Sequence, residues 1–400
     1  MDALILSCST GGGHNAAGAA IRDELEARGH HVTMMDPYEL VSHKLAEEIG
    51  NVYVKMVQRS PKLFGVVYAL GGMVRRVPGK SPVYYANIAV AKKLKEYLDE
   101  NPVDVILMPH LYPAELITYL KRQGDKLPLT VFVATDYVCI PFTEETDCDY
   151  YVVPGERQMR DFTRWRIPKE KLLPYGIPVG RAFDEPVTKQ EARLRLGLDV
   201  DENKKYILLT GGSIGAGDIH KNIRILLNYM KKNDVDGKLI VVCGNNERLY
   251  RQLEKEYVNT GSWKYKLKSY ARKRGKASHM WDEENRVILL KKTRQMALYM
   301  RACDIFISKP GGLSSTEAAV AQVPYIHIRP IPGCETHNMR FFTRNGMSIG
   351  VRHPRLQLAS AVGKLSKEDQ ITKMKQHQQE GIPQNARKGL CDWLEERVRE

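Results

Sequence analysis

The sequence lacks most of the features that would place it quickly. Its seven cysteines are odd in number and include no C-x-x-C pair, which argues against a zinc ribbon or a disulfide framework and for free thiols in a reducing compartment. Long hydrophobic runs are missing too. The most membrane-like stretch, LFGVVYALGGMV from Leu63 to Val74, falls short of the roughly 20 residues that span a bilayer. The chain opens straight into a strand-like run without a basic n-region, so no secretory signal is expected. There is no internal repeat, no low-complexity tract, and no DNA- or RNA-binding motif. Acidic residues are the scarcer charge, 47 Asp and Glu against 61 Lys and Arg, for a formal net charge of +14. Such an excess suits an anionic partner: nucleic acid, an anionic membrane surface or a phosphorylated substrate. A cytoplasmic protein, at most peripheral to a membrane, is the expectation.

What is present is a repeated α/β pattern. A length of 400 residues favours two domains. Short apolar runs without strict alternation recur between amphipathic stretches: Ala3 to Leu6, His31 to Met35, Val103 to Met108, Leu129 to Ala134 and Tyr150 to Val153. These read as parallel strands buried on both faces and joined by helical crossovers. The pattern restarts with YILLTGG (Tyr206 to Gly212) and continues through Lys238 to Gly244, Val287 to Lys292, Asp304 to Gly312 and Pro324 to Pro330. Between the halves, YGIPVGRAFDEPV (Tyr175 to Val187) has the glycine and proline content of a connection. The expected division is 1–185, 186–383, and a C-terminal helix over 384–400 that needs an apolar surface and is free to dock back on the first domain.

Several strand ends carry candidate chemistry. STGGGHNAAGAAI (residues 9–21) sets Gly11, Gly12 and Gly13 behind the first strand, with a helix expected from near Asn15. It is neither G-x-G-x-x-G nor a Walker sequence. His14, at the carboxyl end of a parallel strand, either serves as a general base or packs the turn. Asp136 in VATDYV could orient that histidine, act as the base itself, or cap its own turn. SKPGGLSSTEAAV (residues 308–320) predicts a helix starting at Ser314 or Ser315 with serine as N-cap and Glu317 in the first turn, where it either suits the helix dipole or accepts from ribose hydroxyls while Gly311 and Gly312 admit a pyrophosphate. TGGSIGAGDI places Gly211, Gly212, Ser213, Gly215 and Gly217 opposite that loop. In PIPGCETHNMRFF, Glu335 and Asn338 are suited to sugar hydroxyls. KYKLKSYARKRGK (264–276) is a solvated basic face or a phosphate-binding one, lipid ranking above nucleic acid.

Taken in order, GGGHNAAGAAI, VATDY, YGIPV, TGGSIG, SKPGGLSSTEA and PGCETHN resemble the bacterial diacylglycerol glucosyltransferases and plant-type monogalactosyldiacylglycerol synthases, over essentially the whole chain. The resemblance implies a GT-B fold, two Rossmann-like parallel-sheet domains facing a cleft. It implies a UDP-sugar as co-substrate held by the second domain, and a lipid acceptor, diacylglycerol, reaching the first domain at an anionic membrane surface on the inner face. Inversion at the anomeric carbon without an essential metal or other cofactor, and with no nucleic-acid partner, is implied as well. On this reading His14, with Asp136 beside it, is catalytic. Gly12 and Gly13 lie near acceptor and phosphate. Gly211, Gly212, Ser213, Gly311, Gly312, Leu313 and Ser314 surround the diphosphate, Glu317 binds ribose, and Gly333, Glu335 and Asn338 lie near the sugar. This chain departs from the family in having Cys334 where glutamine is usual, Phe142 without the His-Trp pair after Asp136, and a basic segment over 261–284. The stretch Ser60 to Lys80, apolar with Arg75, Arg76 and Lys80, is either a core helix or a membrane contact. A polyprenyl-linked or soluble acceptor, a UDP-sugar epimerase, and a non-catalytic UDP-sugar or lipid sensor are the competing readings.

Overall fold

The computed structural model describes residues 1–8, 12–44, 46–47, 88–213, 215, 218–258 and 286–399. Ser9 to Gly11, the Ser60 to Lys80 stretch, Ile214, Gly217 and the basic segment over 261–284 lie outside the described residues.

Two parallel sheets form. The first consists of β1 (Asp2–Leu6), β2 (His31–Met35), β3 (Val105–Met108), β4 (Leu129–Val133), β5 (Tyr150–Val152) and β6 (Leu172–Leu173), in the order β2-β1-β3-β4-β5-β6. The second consists of β7 (Lys205–Thr210), β8 (Gly237–Val242), β9 (Val287–Leu290), β10 (Ile305–Ser308), β11 (Tyr325–Ile328) and β12 (Ile349–Val351), in the order β12-β11-β10-β7-β8-β9. The apolar runs become central strands because helices cover both faces: Leu4 and Ile106 face one core layer of the first sheet, Ile5 and Leu107 the other. Strands β6 and β12 escape the sequence pattern, being only two and three residues long.

Strand order reverses beside β1 in the first sheet and beside β7 in the second. Loops leaving β1 and β3, or β7 and β10, therefore diverge and leave a crevice at the carboxyl ends, where open α/β sheets bind ligands. The final helix, Ala386–Arg399, packs Leu390, Cys391 and Leu394 into the layer that holds Ile21, Leu25 and Val105 of the first sheet. Arg387, buried there, binds Glu24 at 2.8 Å and Asp184 at 3.1 Å, tying the chain end to the first sheet and to the connection.

The two crevices face each other and touch. A Cβ at Gly312 would lie 1.9 Å from the Thr135 carbonyl oxygen, so this position has no room for a side chain. Gly312→Ala is accordingly expected to push the domains apart, seen as a larger radius of gyration by small-angle X-ray scattering; an unchanged radius would contradict the close approach.

Candidate functional site

The helix after β1 starts at Gly12, not near Asn15, and runs to Ala27, which puts His14 in its first turn. His14 Nδ1 lies 2.8 Å from the Pro109 carbonyl and 2.9 Å from Thr135 Oγ1. A carbonyl oxygen only accepts, so Nδ1 carries the proton and Nε2 keeps its lone pair. Burial pushes the imidazole pKa below its ordinary value, against the opposing pull of the Pro109 bond. The ring of His110 stands edge-on at 4.5 Å; burial and then the neighbouring His14 hold its pKa well down. His14 is thus a neutral, tautomerically fixed imidazole near neutral pH. It lines a narrow hollow with Asp136, Leu111, Phe132, Val138 and Phe162.

Asp136 does not orient His14: the Nδ1 position is met by Pro109 and Thr135, and Asp136 Oδ1 instead accepts from Asn338 Nδ2 at 2.7 Å. Burial raises the Asp136 pKa to about 6, with the Asn338 bond opposing and the Glu335 charge adding to the rise. Asn338 is fully engaged in a bridge between domains. Its Nδ2 also donates to the Pro310 carbonyl at 3.1 Å, and its Oδ1 accepts from the Tyr137 N–H at 2.8 Å. The Tyr137 ring enters the second domain, stacks on Phe341 at 4.8 Å and meets Thr316 Oγ1 at 2.7 Å. In this closed arrangement Asn338 clasps the two halves.

Glycine loops form the opposite wall. Gly212 has φ +74°, a left-handed conformation that glycine adopts without penalty, and it turns the loop after β7 against Lys309. Gly211 lies buried at the end of β7. Ser213 Oγ accepts from the Gly12 N–H at 2.9 Å, and Gly13 lies against Leu313. The helix after β10 begins at Gly312 with Gly311 as N-cap and no side-chain cap, earlier than the serine-capped start expected from the sequence. Ser314 Oγ donates to the Gly311 carbonyl at 3.3 Å, and Ser315 Oγ pairs with buried His327 at 2.9 Å. Neither serine occupies the cap, so the helix start at Gly312 has no side-chain cap, while the Gly311 N–H donates to the Lys309 carbonyl at 2.9 Å.

That shift removes the helix-dipole reading of Glu317. It lies beyond the first helical turn, which holds no acidic residue, so the dipole explanation loses its basis. Its carboxyl group has no hydrogen-bond or ion-pair partner among the described residues, and burial pushes its pKa up to about 8. The carboxyl group is thus half-buried and unpaired, open to a hydrogen-bonding ligand.

Lys309, quoted in the sequence motif without a role, is the residue that sequence reasoning missed. It leaves β10 directly into the crevice and forms an ion pair with Glu335. Burial disfavours its charge, but the Glu335 carboxylate more than offsets this and holds the ammonium protonated. The second Glu335 oxygen accepts from the Ile331 N–H at 2.9 Å. Gly333, at φ +118°, caps the helix Cys334–Arg344 that carries Glu335 and Asn338. Cys334 starts that helix with its thiol pKa raised well above ordinary by burial and by Asp136. The signal for Lys309 was its place, immediately after a strand and before two glycines.

The three D-x-D stretches are otherwise occupied. Asp149 binds Lys121 at 2.6 Å and Thr130, Asp199 binds Lys204 at 2.7 Å, and Asp236 binds Arg286 at 3.0 Å. No group of three or more His, Cys, Asp or Glu among the described residues could hold a metal ion.

Comparison with known proteins matches each half of the chain to a glycosyltransferase family model. Residues 14–179 match the monogalactosyldiacylglycerol (MGDG) synthase family model, and residues 206–388 match the glycosyltransferase family 28 C-terminal domain. The chain thus carries an MGDG synthase domain followed by a glycosyltransferase family 28 C-terminal domain. It is 24% identical over 375 residues to a processive diacylglycerol beta-glucosyltransferase of Bacillus pumilus, covering 94% of this chain and 89% of that one. The Bacillus subtilis protein of the same name is 25% identical with the same coverage. The fold is GT-B. It resembles MurG of Acinetobacter baumannii with a TM-score of 0.59 at 13% identity, covering 99% of both chains. UDP-GlcNAc 2-epimerase from Neisseria meningitidis, solved bound to UDP-GlcNAc, follows at 0.58 and 13%, covering 99% of this glycosyltransferase and 100% of that chain. At such identity these structures speak to fold alone.

Proposed function

We propose that this glycosyltransferase moves a hexosyl group from a UDP-sugar to diacylglycerol, with inversion and without an essential metal. The observation that carries the reading is the meeting, across one closed crevice, of a tautomerically fixed His14 with an unpaired Glu317, a helix start without a side-chain cap and a half-buried Lys309.

The two sheets divide the work. Residues 1–185 receive the acceptor, residues 186–383 hold the donor, and 384–400 return to brace the first domain. Ribose hydroxyls donate to Glu317. The diphosphate meets the helix start at Gly311 and Gly312, the Gly211 to Ser213 loop and the Lys309 ammonium, which supply positive charge as UDP departs. Leu313 and Ser314 wall this pocket; Gly333, Glu335 and Asn338 border the sugar once the Asn338 bridge opens. His14 Nε2 takes the proton from the acceptor hydroxyl, whose oxygen attacks the anomeric carbon from the face opposite UDP, near Gly12 and Gly13. Asp136, with its raised pKa, is the other ionisable group on this side and the alternative base. No helix among the described residues is long and apolar enough to cross a membrane, and we assign the protein to the cytoplasmic face of the membrane, bound peripherally to anionic lipid.

Lys309→Ala is expected to raise the donor KM about tenfold or more, because a charged hydrogen bond to phosphate contributes roughly 1.5–3 kcal/mol. Isothermal titration with UDP checks this; equal affinity for both proteins would remove Lys309 from the diphosphate. The function itself is tested by following UDP release with UDP-glucose, UDP-galactose and UDP-N-acetylglucosamine in turn. Release that requires diacylglycerol in the vesicles supports the reading, and release indifferent to diacylglycerol opposes it.

A further inference from the structure

One charged feature of the second domain has no part in the crevice. Helix Cys334–Arg344 and the end of β12 border an open groove of about 370 Å³ lined by Arg340, Arg344, Arg352, Thr343 and Gln357. The three arginines are exposed, and none of their guanidinium groups meets a carboxylate or another hydrogen-bond partner among the described residues. Complementing the negative end of the helix accounts for Arg344 in the last turn. It does not account for Arg352, which comes from another element. Immediately beyond, Arg355 is exposed and Leu356 is 83% exposed, the most exposed large hydrophobic side chain among the described residues.

The patch continues onto the first domain. Arg157 Nη1 donates to Asn345 Oδ1 at 2.6 Å, across the seam between domains. Arg160 and Arg164 follow on the same helix, Glu156–Arg164, and are exposed. Of the acidic residues on that helix, Asp161 accepts from the Cys139 N–H at 2.7 Å and Glu156 is exposed at the helix start. A band of exposed guanidinium groups from both domains, all but Arg157 without a partner among the described residues, therefore ends at one projecting leucine.

We propose that this arginine groove is a headgroup site for an anionic phospholipid, which docks both domains on the membrane with Leu356 entering the interface. Planar guanidinium groups suit phosphate oxygens, and an isolated apolar side chain beside them suits a lipid surface rather than a soluble anion. The helix that forms the groove carries Glu335 and Asn338 at its other end, so an occupied groove also steadies the sugar side of the crevice. The inference rests on the membrane-lipid reading of the function. Vesicle binding needs no turnover, however, so failure here is distinguishable from failure to transfer sugar.

The test is flotation of the full chain with vesicles of phosphatidylglycerol and phosphatidylcholine. Arg344→Ala/Arg352→Ala is expected to weaken binding roughly 30-fold, and Leu356→Ser about threefold. Lys231→Ala/Lys232→Ala, which removes the same charge from exposed positions on another helix, should change binding less than about threefold. Equal losses for the two double variants would overturn the site in favour of diffuse attraction. Intact vesicle binding by the arginine double variant would also overturn it. If inorganic phosphate raises the Tm of the wild type but not of that variant while vesicle binding persists, the groove takes a soluble phosphate and the lipid proposal fails.

Discussion

His14→Ala lowers kcat by about 10²- to 10⁴-fold, the range general-base removal produces, while the Kd for UDP changes less than about twofold. The separation follows from geometry: the imidazole belongs to the first domain and makes its hydrogen bonds there, to Pro109 and Thr135, whereas the proposed nucleotide pocket lies in the second. The pH profile carries a further signature. Burial lowers the His14 pKa below its ordinary value, so the base is already unprotonated at neutral pH. Activity should be flat above pH ~6.5 and fall only at more acidic values. That acidic limb disappears in the variant. A kcat within about threefold of wild type would assign the base to another group, with Asp136 next in line.

Glu317→Gln has the second large effect, on the donor instead of on turnover. Replacing a carboxylate that accepts ribose hydroxyls is expected to raise the donor KM by about 10- to 100-fold, corresponding to roughly 1.5–3 kcal/mol for a charged hydrogen bond. The sign of the pH dependence is fixed by burial, which raises the free Glu317 pKa to about 8. Below that value the free enzyme holds a proton that must leave before both oxygens can accept, so donor affinity should increase as pH rises from 7 toward 8 and level off above. In Glu317→Gln the slope over this interval vanishes. Titration calorimetry with UDP at several pH values measures it; an unaltered slope would take Glu317 away from the ribose.

Much of the fold was legible because parallel strands buried on both faces leave continuous apolar runs. Those around Leu4, Ile106, Leu208 and Ile307 each became a central strand. The edge strand β6 was not legible, since two residues carry no period. Helix starts were misread where serine and acidic residues suggested an ordinary cap: the chain uses Gly311 and begins at Gly312 because the helix end meets another backbone at a distance no side chain tolerates. That contact lies between domains and leaves no local trace.

The same limit applies at the site. His14 could be read from its glycine turn, but its partners Pro109 and Thr135 lie 95 and 121 residues away, brought near by the neighbouring parallel strands. Asn338 could be chosen for its amide, yet its grip on Asp136 and Tyr137 exists only with the domains closed. Lys309 stood in plain view after β10; what the sequence withheld was the Glu335 carboxylate that keeps it charged.

The central claim is tested most directly by analysing the lipid. The purified chain is incubated with a chelator, diacylglycerol in phosphatidylglycerol vesicles, and one UDP-sugar at a time. Extracted lipids are read by mass spectrometry and the anomeric proton by NMR. The account predicts a hexosyl diacylglycerol from one donor, β-linked from the α-linked UDP-sugar, formed by wild type and lost in His14→Ala. No glycosylated diacylglycerol from any donor, by a protein that still binds UDP, would contradict it.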